Sequence, residues 1–444
     1  MFLLNCPRVR KLSNFSILLA LGWLSAAENV AASAAPETKV LLRATKITEG
    51  QGGFTGNLEV QDNFGSGAAN LGDLNGDGVN DAAVGEIWDD DGGLDRGAVW
   101  ILFLNPDRTV NASQKISDTA GGFTGGLGNS SYFGASVASI GDLNQDGVPD
   151  MLVGAPSAGE AWIVYLNADG TVLTQQKIPD PSPTAVSFGQ GVTSLGDLDG
   201  DGVIDLAIGA PLDDDGGGGE FSNRGAVYIL FLNADGTVRN EQKISTTAGG
   251  FTGLLDEMDN FGYAVSSARD VDNDGVTDLA VGAWADGEAE ALTGAVWIVF
   301  LNSDGTVKGQ QKISSAEGNF AGQLDEADFF GVSIASLGDY SGDGVPDLAV
   351  GAFGDDDGGG NTGAVYILSL NPDGTVQDSQ KISARTTGRN LPLPEDSLFG
   401  SSIAFLGDLN DDRRPELLVG AILDSDAALW AGAAWAVSVS RRNR

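Results

Sequence analysis

The chain has 444 residues, a formal net charge of −38, no histidine and a single cysteine, Cys6. Without histidine, Ser-His and Cys-His nucleophile pairs, histidine acid–base catalysis and the common zinc sites are excluded. A charge this negative repels nucleic acid, which is therefore excluded as a partner.

Residues 1–34 have the organisation of a secretory signal peptide. Basic residues lie at Arg8, Arg10 and Lys11, an apolar run covers residues 15–24, and small residues at 32–34 offer a cleavage site. The apolar run is shorter than the ~20 residues that span a bilayer, and no later stretch approaches that length. We therefore expect an exported chain (periplasmic, secreted or at the cell surface) with no membrane span after cleavage. An uncleaved membrane anchor is the alternative.

A nine-residue acidic stretch occurs six times, and its most complete copy covers residues 197–205. Oxygen-bearing side chains occupy the first, third, fifth and ninth places, glycine occupies the sixth, and the seventh can offer its carbonyl. Such alternation lets oxygens converge on a hard cation, and glycine tolerates the positive φ that the curled backbone needs. The expected ligands are Asp73, Asn75, Asp77, Val79 and Asp81; Asp142, Asn144, Asp146, Val148 and Asp150; Asp197, Asp199, Asp201, Val203 and Asp205; Asp270, Asp272, Asp274, Val276 and Asp278; Asp339, Ser341, Asp343, Val345 and Asp347; and Asp408, Asn410, Asp412 and Glu416.

These loops favour Ca²⁺ over Mg²⁺, because several carboxylates and a carbonyl suit a large ion with flexible coordination. We expect Ca²⁺ in five loops, with weaker binding in the fifth, where Ser341 is a neutral ligand. In the sixth loop Arg413 replaces the glycine and Arg414 takes the carbonyl position. Two outcomes stay open there: a bound ion, or a guanidinium that neutralises the acids.

Around each acidic loop the chain repeats one unit, which predicts an all-β fold. The unit opens on Phe-Gly and a strand of small residues. After the acidic loop come an apolar strand ending in Gly-Ala, a longer apolar strand such as residues 294–301, a turn, and a strand ending in Lys-Ile. Four short strands per unit, with the third apolar on both faces, predict blades of a β-propeller. A stacked solenoid is the alternative.

The ends of the chain indicate how the ring closes. Four units end on an isoleucine 17 residues before the next Phe-Gly, and Ile47 lies 17 residues before Phe64. The last unit stops after its third strand. We therefore predict that residues 40–47 complete the sixth blade, since pairing them removes two exposed sheet edges. Residues 36–444 would form one six-bladed propeller with repeats starting near Phe64, Phe133, Phe188, Phe261, Phe330 and Phe399.

Phe-Gly, the acidic loop and Gly-Ala-Pro (residues 154–156 and 209–211) recur in that order, and together they resemble the FG-GAP repeat. This repeat is the unit of the integrin alpha-chain N-terminal propeller, so the resemblance implies a propeller whose acidic loops bind calcium. Integrin propellers have seven blades, which makes seven the alternative to the six counted here. They also carry calcium loops in only some blades, and they bind partners together with further domains and a beta subunit.

The resulting expectation is a secreted or cell-surface calcium-binding module for adhesion to an extracellular protein or glycan, with calcium in a structural role. Acidic loops edged by Trp88, Trp284 and Phe353 offer a platform for a partner, or those rings pack within their own blades. Further cations between the aspartate triplets of these loops are a weaker possibility. The rival is an extracellular polysaccharide hydrolase or lyase that uses loop carboxylates. No convincing catalytic pair breaks the repeat, so we expect no enzyme.

Overall fold

The computed structural model describes residues 43–181, 187–215, 222–287, 292–385 and 391–440. Regular structure in these ranges is β-strand apart from one 3-10 turn, Pro156–Ala158. The expected signal peptide and residues 40–42 of the expected closing strand lie outside them.

The strands form six antiparallel sheets of four, which we number as blades 1 to 6 in chain order. The first strand of the chain is β1 (Ala44–Ile47). Blade 1 contains β2 (Phe64–Gly72), β3 (Asp81–Glu86), β4 (Ala98–Leu104) and β5 (Val110–Ile116). Blade 2 contains β6 (Val137–Gly141), β7 (Asp150–Ala155), β8 (Glu160–Leu166) and β9 (Val172–Pro179). Blade 3 contains β10 (Val192–Gly196), β11 (Asp205–Ala210), β12 (Ala226–Leu232) and β13 (Val238–Ile244).

Blade 4 contains β14 (Val265–Arg269), β15 (Asp278–Ala283), β16 (Ala295–Leu301) and β17 (Val307–Ile313). Blade 5 contains β18 (Ile334–Gly338), β19 (Asp347–Ala352), β20 (Ala364–Leu370) and β21 (Val376–Ser383). Blade 6 contains β22 (Phe399–Gly407), β23 (Glu416–Ala421) and β24 (Ala433–Ser438), and β1 is its fourth strand. The first strands contact one another in the circular order β2, β6, β10, β14, β18, β22 and back to β2, so they line the axis. The prediction of six blades is confirmed, and the seven-bladed alternative is wrong.

The ring closes as the sequence predicts. Strand β1 pairs antiparallel with β24, so that Ala44 lies opposite Val437 and Ile47 opposite Ala434. The amide of Ser438 donates to the carbonyl of Arg43 at 2.8 Å, which continues the ladder by one residue. Because the outermost strand of blade 6 comes from the other end of the chain, unfolding either end opens the ring.

The third strand of each blade is buried on both faces, as expected for strands covered by neighbouring blades. All seven residues of β4, β12 and β16 are buried, whereas the outer strand β13 is mostly exposed. Apolar clusters therefore lie between consecutive blades, with aromatic pairs such as Phe123 and Trp162 at 5.2 Å. Each blade depends on its neighbour for a core.

Two glycines of the repeat meet across every blade junction, which gives a physical reason for the motif. A Cβ placed on Gly85, near the end of β3, would overlap the carbonyl oxygen of Gly134, which belongs to the next Phe-Gly. The same approach joins Gly420 of blade 6 to Gly65 of blade 1, where the ring closes. A side chain at either position would hold two blades apart, so each junction requires glycine.

Candidate metal centres

Each acidic loop joins the first strand of its blade to the second. Antiparallel alternation places all six loops on one side of the ring, together with the turns between third and fourth strands. We call this side the loop face. The opposite face carries the connections from second to third strands and from each fourth strand to the next blade. The two faces therefore hold different groups of polar residues.

Hydrogen bonds inside each loop bend it around its own oxygens. In the first loop Asp73 accepts from the amides of Asp77 and Gly78, both at 2.9 Å, and Asn75 accepts from Asp77 at 2.8 Å. Asp77 accepts from the amide of Val79 at 3.0 Å. Gly78 has a φ of +91°, which is the conformation expected of the sixth position. The loop is thus curled in the way that a cation site requires.

The ninth residue of each loop is a carboxylate removed from solvent. Asp81 is fully buried and accepts from the amides of Leu74 and Leu104, each at 3.1 Å, which ties the loop to the third strand. Burial raises the pKa of Asp81 to about 6, although the hydrogen bonds from these amides lower it. The pKa is raised to about 6 in the same way at the corresponding residues Asp150, Asp205, Asp278 and Asp347. Each of these anions would gain from a nearby cation.

The third and fourth loops bring three carboxylates together. One oxygen each of Asp197, Asp199 and Asp205 lies within 4.8 Å of the others, and the corresponding aspartates of the fourth loop are Asp270, Asp272 and Asp278. Oxygens that share a Ca²⁺ ion at roughly 2.3–2.6 Å lie at most about 5 Å apart, so these donor sets fit calcium. In the first, second and fifth loops the third position is Asn75, Asn144 or Ser341, and the triad keeps two carboxylates.

Basic side chains lie over the two most acidic loops, and the sequence analysis missed them. Arg239 of β13 pairs with Asp199 and, at 3.0 Å, with Asp201. Lys308 of β17 pairs with Asp274 and, at 3.0 Å, with Asp272, and it holds the pKa of Asp274 below its usual value. The sequence does contain a signal for these pairs. In these two blades the acidic loop has aspartate at all four oxygen-bearing places, and the second residue of the fourth strand is basic.

The sixth loop keeps its shape despite its substitutions. Arg413 adopts a φ of +66°, and its amide donates to Asp408 at 2.6 Å as the glycine amide does in other loops. The buried carboxylate is Glu416, and the guanidinium of Arg108, from blade 1, lies 3.3 Å from it. A guanidinium therefore pairs with one acid of this loop, and it comes from Arg108 rather than from Arg413 or Arg414.

A second repeated cluster lies near the opposite face. In every blade a lysine of the fourth strand sits 5.4–5.7 Å above an aromatic ring of the third strand. The lysines are Lys46, Lys115, Lys177, Lys243, Lys312 and Lys381. Each pairs with a carboxylate: Asp424, Asp89, Glu160, Asp213, Asp286 and Asp355, in the same order. We call these six groups the lysine clusters.

The lysine clusters change the interpretation of the aspartate triplets. The first residue of each triplet (Asp89, Asp213 or Asp355) is buried and paired with its lysine rather than open to a partner. A protein cation thus occupies the place where further metal ions seemed possible. The nearby rings also pack internally, because Trp284 lies edge-on to Phe329 at 5.2 Å and Phe353 is 3% exposed.

Blade 1 contains one extra carboxylate in its lysine cluster. Glu86 stands where the other blades have alanine, is fully buried, and has one oxygen, Oε1, without a hydrogen-bond donor among the described residues. Oxygens of Asp62, Glu86 and Asp89 lie within 4.8 Å of one another. Burial raises the pKa of Glu86 well above its usual value and that of Asp62 to about 6.

The fold and its loops define an all-β propeller with repeated acidic loops that fit a divalent cation. In the described ranges no helix has the length and apolarity to cross a bilayer. The FG-GAP repeat matches residues 188–230, 261–299 and 330–368, and the FG-GAP-like repeat matches residues 142–208.

Among curated proteins, integrin alpha-5 of Xenopus laevis is 36% identical over 227 residues, which cover 51% of this chain and 20% of that protein. Integrin alpha-3 of Cricetulus griseus is 33% identical over 198 residues, 43% of this chain and 17% of that protein. A solved structure of a Lactobacillus plantarum protein aligns at 13% identity over 86% of this chain and 92% of that chain, with a TM-score of 0.41.

The chain therefore contains FG-GAP repeats within residues 142–368, and its β-propeller resembles integrin alpha chains in sequence. It spans about one fifth of the length of these curated relatives.

Proposed function

We propose that this propeller is a calcium-stabilised binding module for an extracellular protein or glycan. The resemblance to integrin alpha chains supports a binding role, and the signal-like residues 1–34 support export. The donor sets of the acidic loops support calcium. In this proposal the ions are structural: Asp81 and its counterparts tie the loops to the third strands, and the ions hold these carboxylates together.

One observation supports the opposite face as the binding surface. The described residues include eight large apolar side chains that are strongly exposed, and six of them lie on connections of this face. Leu254 is 87% exposed and Met258 58%. The six are Val60, Leu94, Leu254, Met258, Leu292 and Leu429. Exposed apolar side chains that share one face and are surrounded by charged loops are typical of a protein-binding surface.

Two parts of this surface lie at blade junctions. The amide of Gln61 donates to the carbonyl of Leu429 at 2.8 Å, so Val60 and Leu429 are neighbours across the closure between blades 6 and 1. The amide of Ser130 donates to Leu94 at 2.7 Å, across the junction of blades 1 and 2. A partner seated there would contact several blades at once.

The test is a screen of extracellular proteins and glycans against the full chain, with calcium and with chelator, followed by variants of each hit. Leu254→Ser with Met258→Ser should weaken a genuine partner at least tenfold and leave the melting temperature unchanged. Leu173→Ser is the matched control, because Leu173 is 52% exposed but lies on the outer strand β9. Equal loss in both variants would contradict the assignment of this face. Turnover of a glycan, instead of retention, would favour the hydrolase or lyase.

A further inference from the structure

A single arginine breaks the repeat next to the axis. The first strands of the other blades end on a glycine with a φ between +60° and +75°, at Gly72, Gly141, Gly196, Gly338 and Gly407. Strand β14 ends instead on Arg269, which has a φ of +59°. Side chains disfavour this region of backbone conformation, so the arginine is held where glycine would be relaxed.

Arg269 borders an open cavity of about 560 Å³ on the loop face, between the first strands of blades 3, 4 and 5. Its lining is rich in hydroxyls, including Thr193, Ser194, Ser267 and Ser336. The guanidinium extends toward blade 5, with its central carbon 3.7 Å from where a Cβ on Gly338 would stand. The guanidinium therefore lies against Gly338 at the edge of the cavity.

The guanidinium of Arg269 has no carboxylate within 4.0 Å in the described part of the chain. This contrasts with Arg239 and Lys308, which cover acidic loops on the same face. The adjacent Asp270 is not paired with it; its two oxygens instead accept hydrogen bonds from the amides of Asp274 and Gly275, at 2.9 and 2.8 Å. An arginine left without a carboxylate in so acidic a protein has charge available for a ligand.

Hydroxyl donors accompany this charge. The hydroxyl of Ser194 accepts a hydrogen bond from the amide of Gly196, and that of Ser267 accepts one from the amide of Arg269, both at 3.2 Å. The hydroxyl protons of these two serines have no acceptor among the described residues. Hydroxyl protons and a guanidinium together complement the oxygens of an anion.

We propose that Arg269 and these hydroxyls form a binding site for a single carboxylate group at the axial cavity. The planar guanidinium fork matches a carboxylate bidentately. Polyanions are disfavoured, because the acidic loops surround the cavity and repel additional negative charge. The ligand class is thus a small monocarboxylic acid, a uronic acid sugar or a peptide carboxyl terminus, which present the same group. The site is separate from the apolar surface of the opposite face and does not rest on that proposal.

The test uses the arginine side-chain Nε–Hε resonances of the full chain in calcium-containing buffer. The Arg269 resonance is assigned by its absence in Arg269→Gly. Sodium acetate should shift it saturably, while sodium chloride at the same ionic strength should not. Glucuronate and N-acetylglycine then separate a sugar acid from a peptide terminus, since the matching ligand should saturate at a lower concentration than acetate.

Two variants keep the result interpretable. Arg269→Gly restores the residue of the other blades, so it should fold and melt at or above the wild-type temperature. Arg269→Lys keeps the charge without the fork and should raise the dissociation constant for acetate at least fivefold. An acetate shift that is linear, or equal to that of chloride, overturns the proposal. A lower melting temperature of Arg269→Gly, with no saturable acetate shift, would show that Arg269 only offsets the acidic loops.

Discussion

At the scale of single residues, two departures from the repeat compensate each other. Arg108 replaces the glycine of the turn between third and fourth strands, with a φ of +72°, and Glu416 replaces the ninth aspartate of the sixth loop. Neither change is explained within its own blade. The structure joins them across the closure, where the guanidinium lies 3.3 Å from the carboxylate and both side chains are almost fully buried.

Arg108→Ala should destabilise the protein by about 3–5 kcal/mol, because it leaves a buried carboxylate without its countercharge. Arg239→Ala is the control: it breaks a pair whose arginine side chain is 40% exposed, so it should change stability far less. The free energy of unfolding in urea, measured with chelator present, compares them. Adding Glu416→Gln to Arg108→Ala should recover much of the loss; no recovery would contradict the pairing.

Glu86 gives the lysine cluster of blade 1 a pH dependence. Its pKa is 4.5 in the unfolded chain and well above that in the fold, and that of Asp62 rises from 3.8 to about 6. The folded protein therefore keeps protons that the unfolded chain has released, and its stability falls as pH rises above about 4.5. Glu86→Ala, which restores the residue of the other blades, should stabilise the protein at pH 8 and have little effect at pH 4.

Thermal unfolding across this pH range measures the difference. Glu86→Ala removes the 2.7 Å hydrogen bond that the indole of Trp100 donates to Glu86. The fold tolerates such a loss, because Trp297 occupies the same position in blade 4 and its indole nitrogen has no partner among the described residues. Glu59→Ala removes an exposed acid of the preceding connection and should show no such pH-dependent gain. A gain from Glu86→Ala that is equal at both pH values would contradict the raised pKa of Glu86.

At the scale of strands, the lysine clusters fix how the fourth strand pairs with the third. Lys115 lies directly opposite Trp100 in the ladder, and Lys46 lies opposite Trp435 in the blade that β1 completes. Burial alone would lower the pKa of Lys115, but Glu86 and Asp89 outweigh it and raise that pKa. A shift by one residue would move each lysine to the other face of its sheet, away from its carboxylate.

Lys46→Met should therefore weaken ring closure. It leaves Asp424 fully buried without its lysine, and a loss of about 3–5 kcal/mol is expected. Lys177→Met is the matched control in blade 2, where the lysine side chain is 46% exposed, and it should cost about 1 kcal/mol or less. Amide exchange of β24 should accelerate in Lys46→Met. Unchanged protection of β24 would show that the strand pairing holds without this cluster.

The strands and the closure of the ring could be predicted because both depend on short patterns that recur along the sequence. Turn residues and apolar runs repeat from unit to unit, and the spacing of Ile47 from Phe64 recurs at the end of four units, so each pattern is seen several times in one chain. The lysine clusters were missed although most join residues only 17 to 30 positions apart, because the contact depends on how the fourth strand pairs with the third. The contact of Arg108 with Glu416 spans 308 residues, and no repeat contains both.

At the scale of the whole molecule, the net charge of −38 opposes the compact ring. The lysine clusters offset part of it near the opposite face. On the loop face, basic residues reach only some loops: Arg239, Lys308 and Arg108 pair with acids of the third, fourth and sixth loops among the described residues. Loops one, two and five have no such pair there, so their carboxylates depend most on an external cation.

Removing calcium should therefore lower the melting temperature, and most strongly at low ionic strength, where repulsion between loops is least screened. An ion that binds only the folded state at 100 times its dissociation constant stabilises by about 2.7 kcal/mol per site, so several sites give a large combined shift. Calorimetry with chelator, calcium or magnesium measures it, and calcium should exceed magnesium. Asp77→Ala, in a loop without a basic partner among the described residues, should reduce the calcium-dependent shift far more than Asp412→Ala, because Arg108 already pairs with Glu416 of the sixth loop. A melting temperature that chelator leaves unchanged at low salt would show that the ring holds without metal.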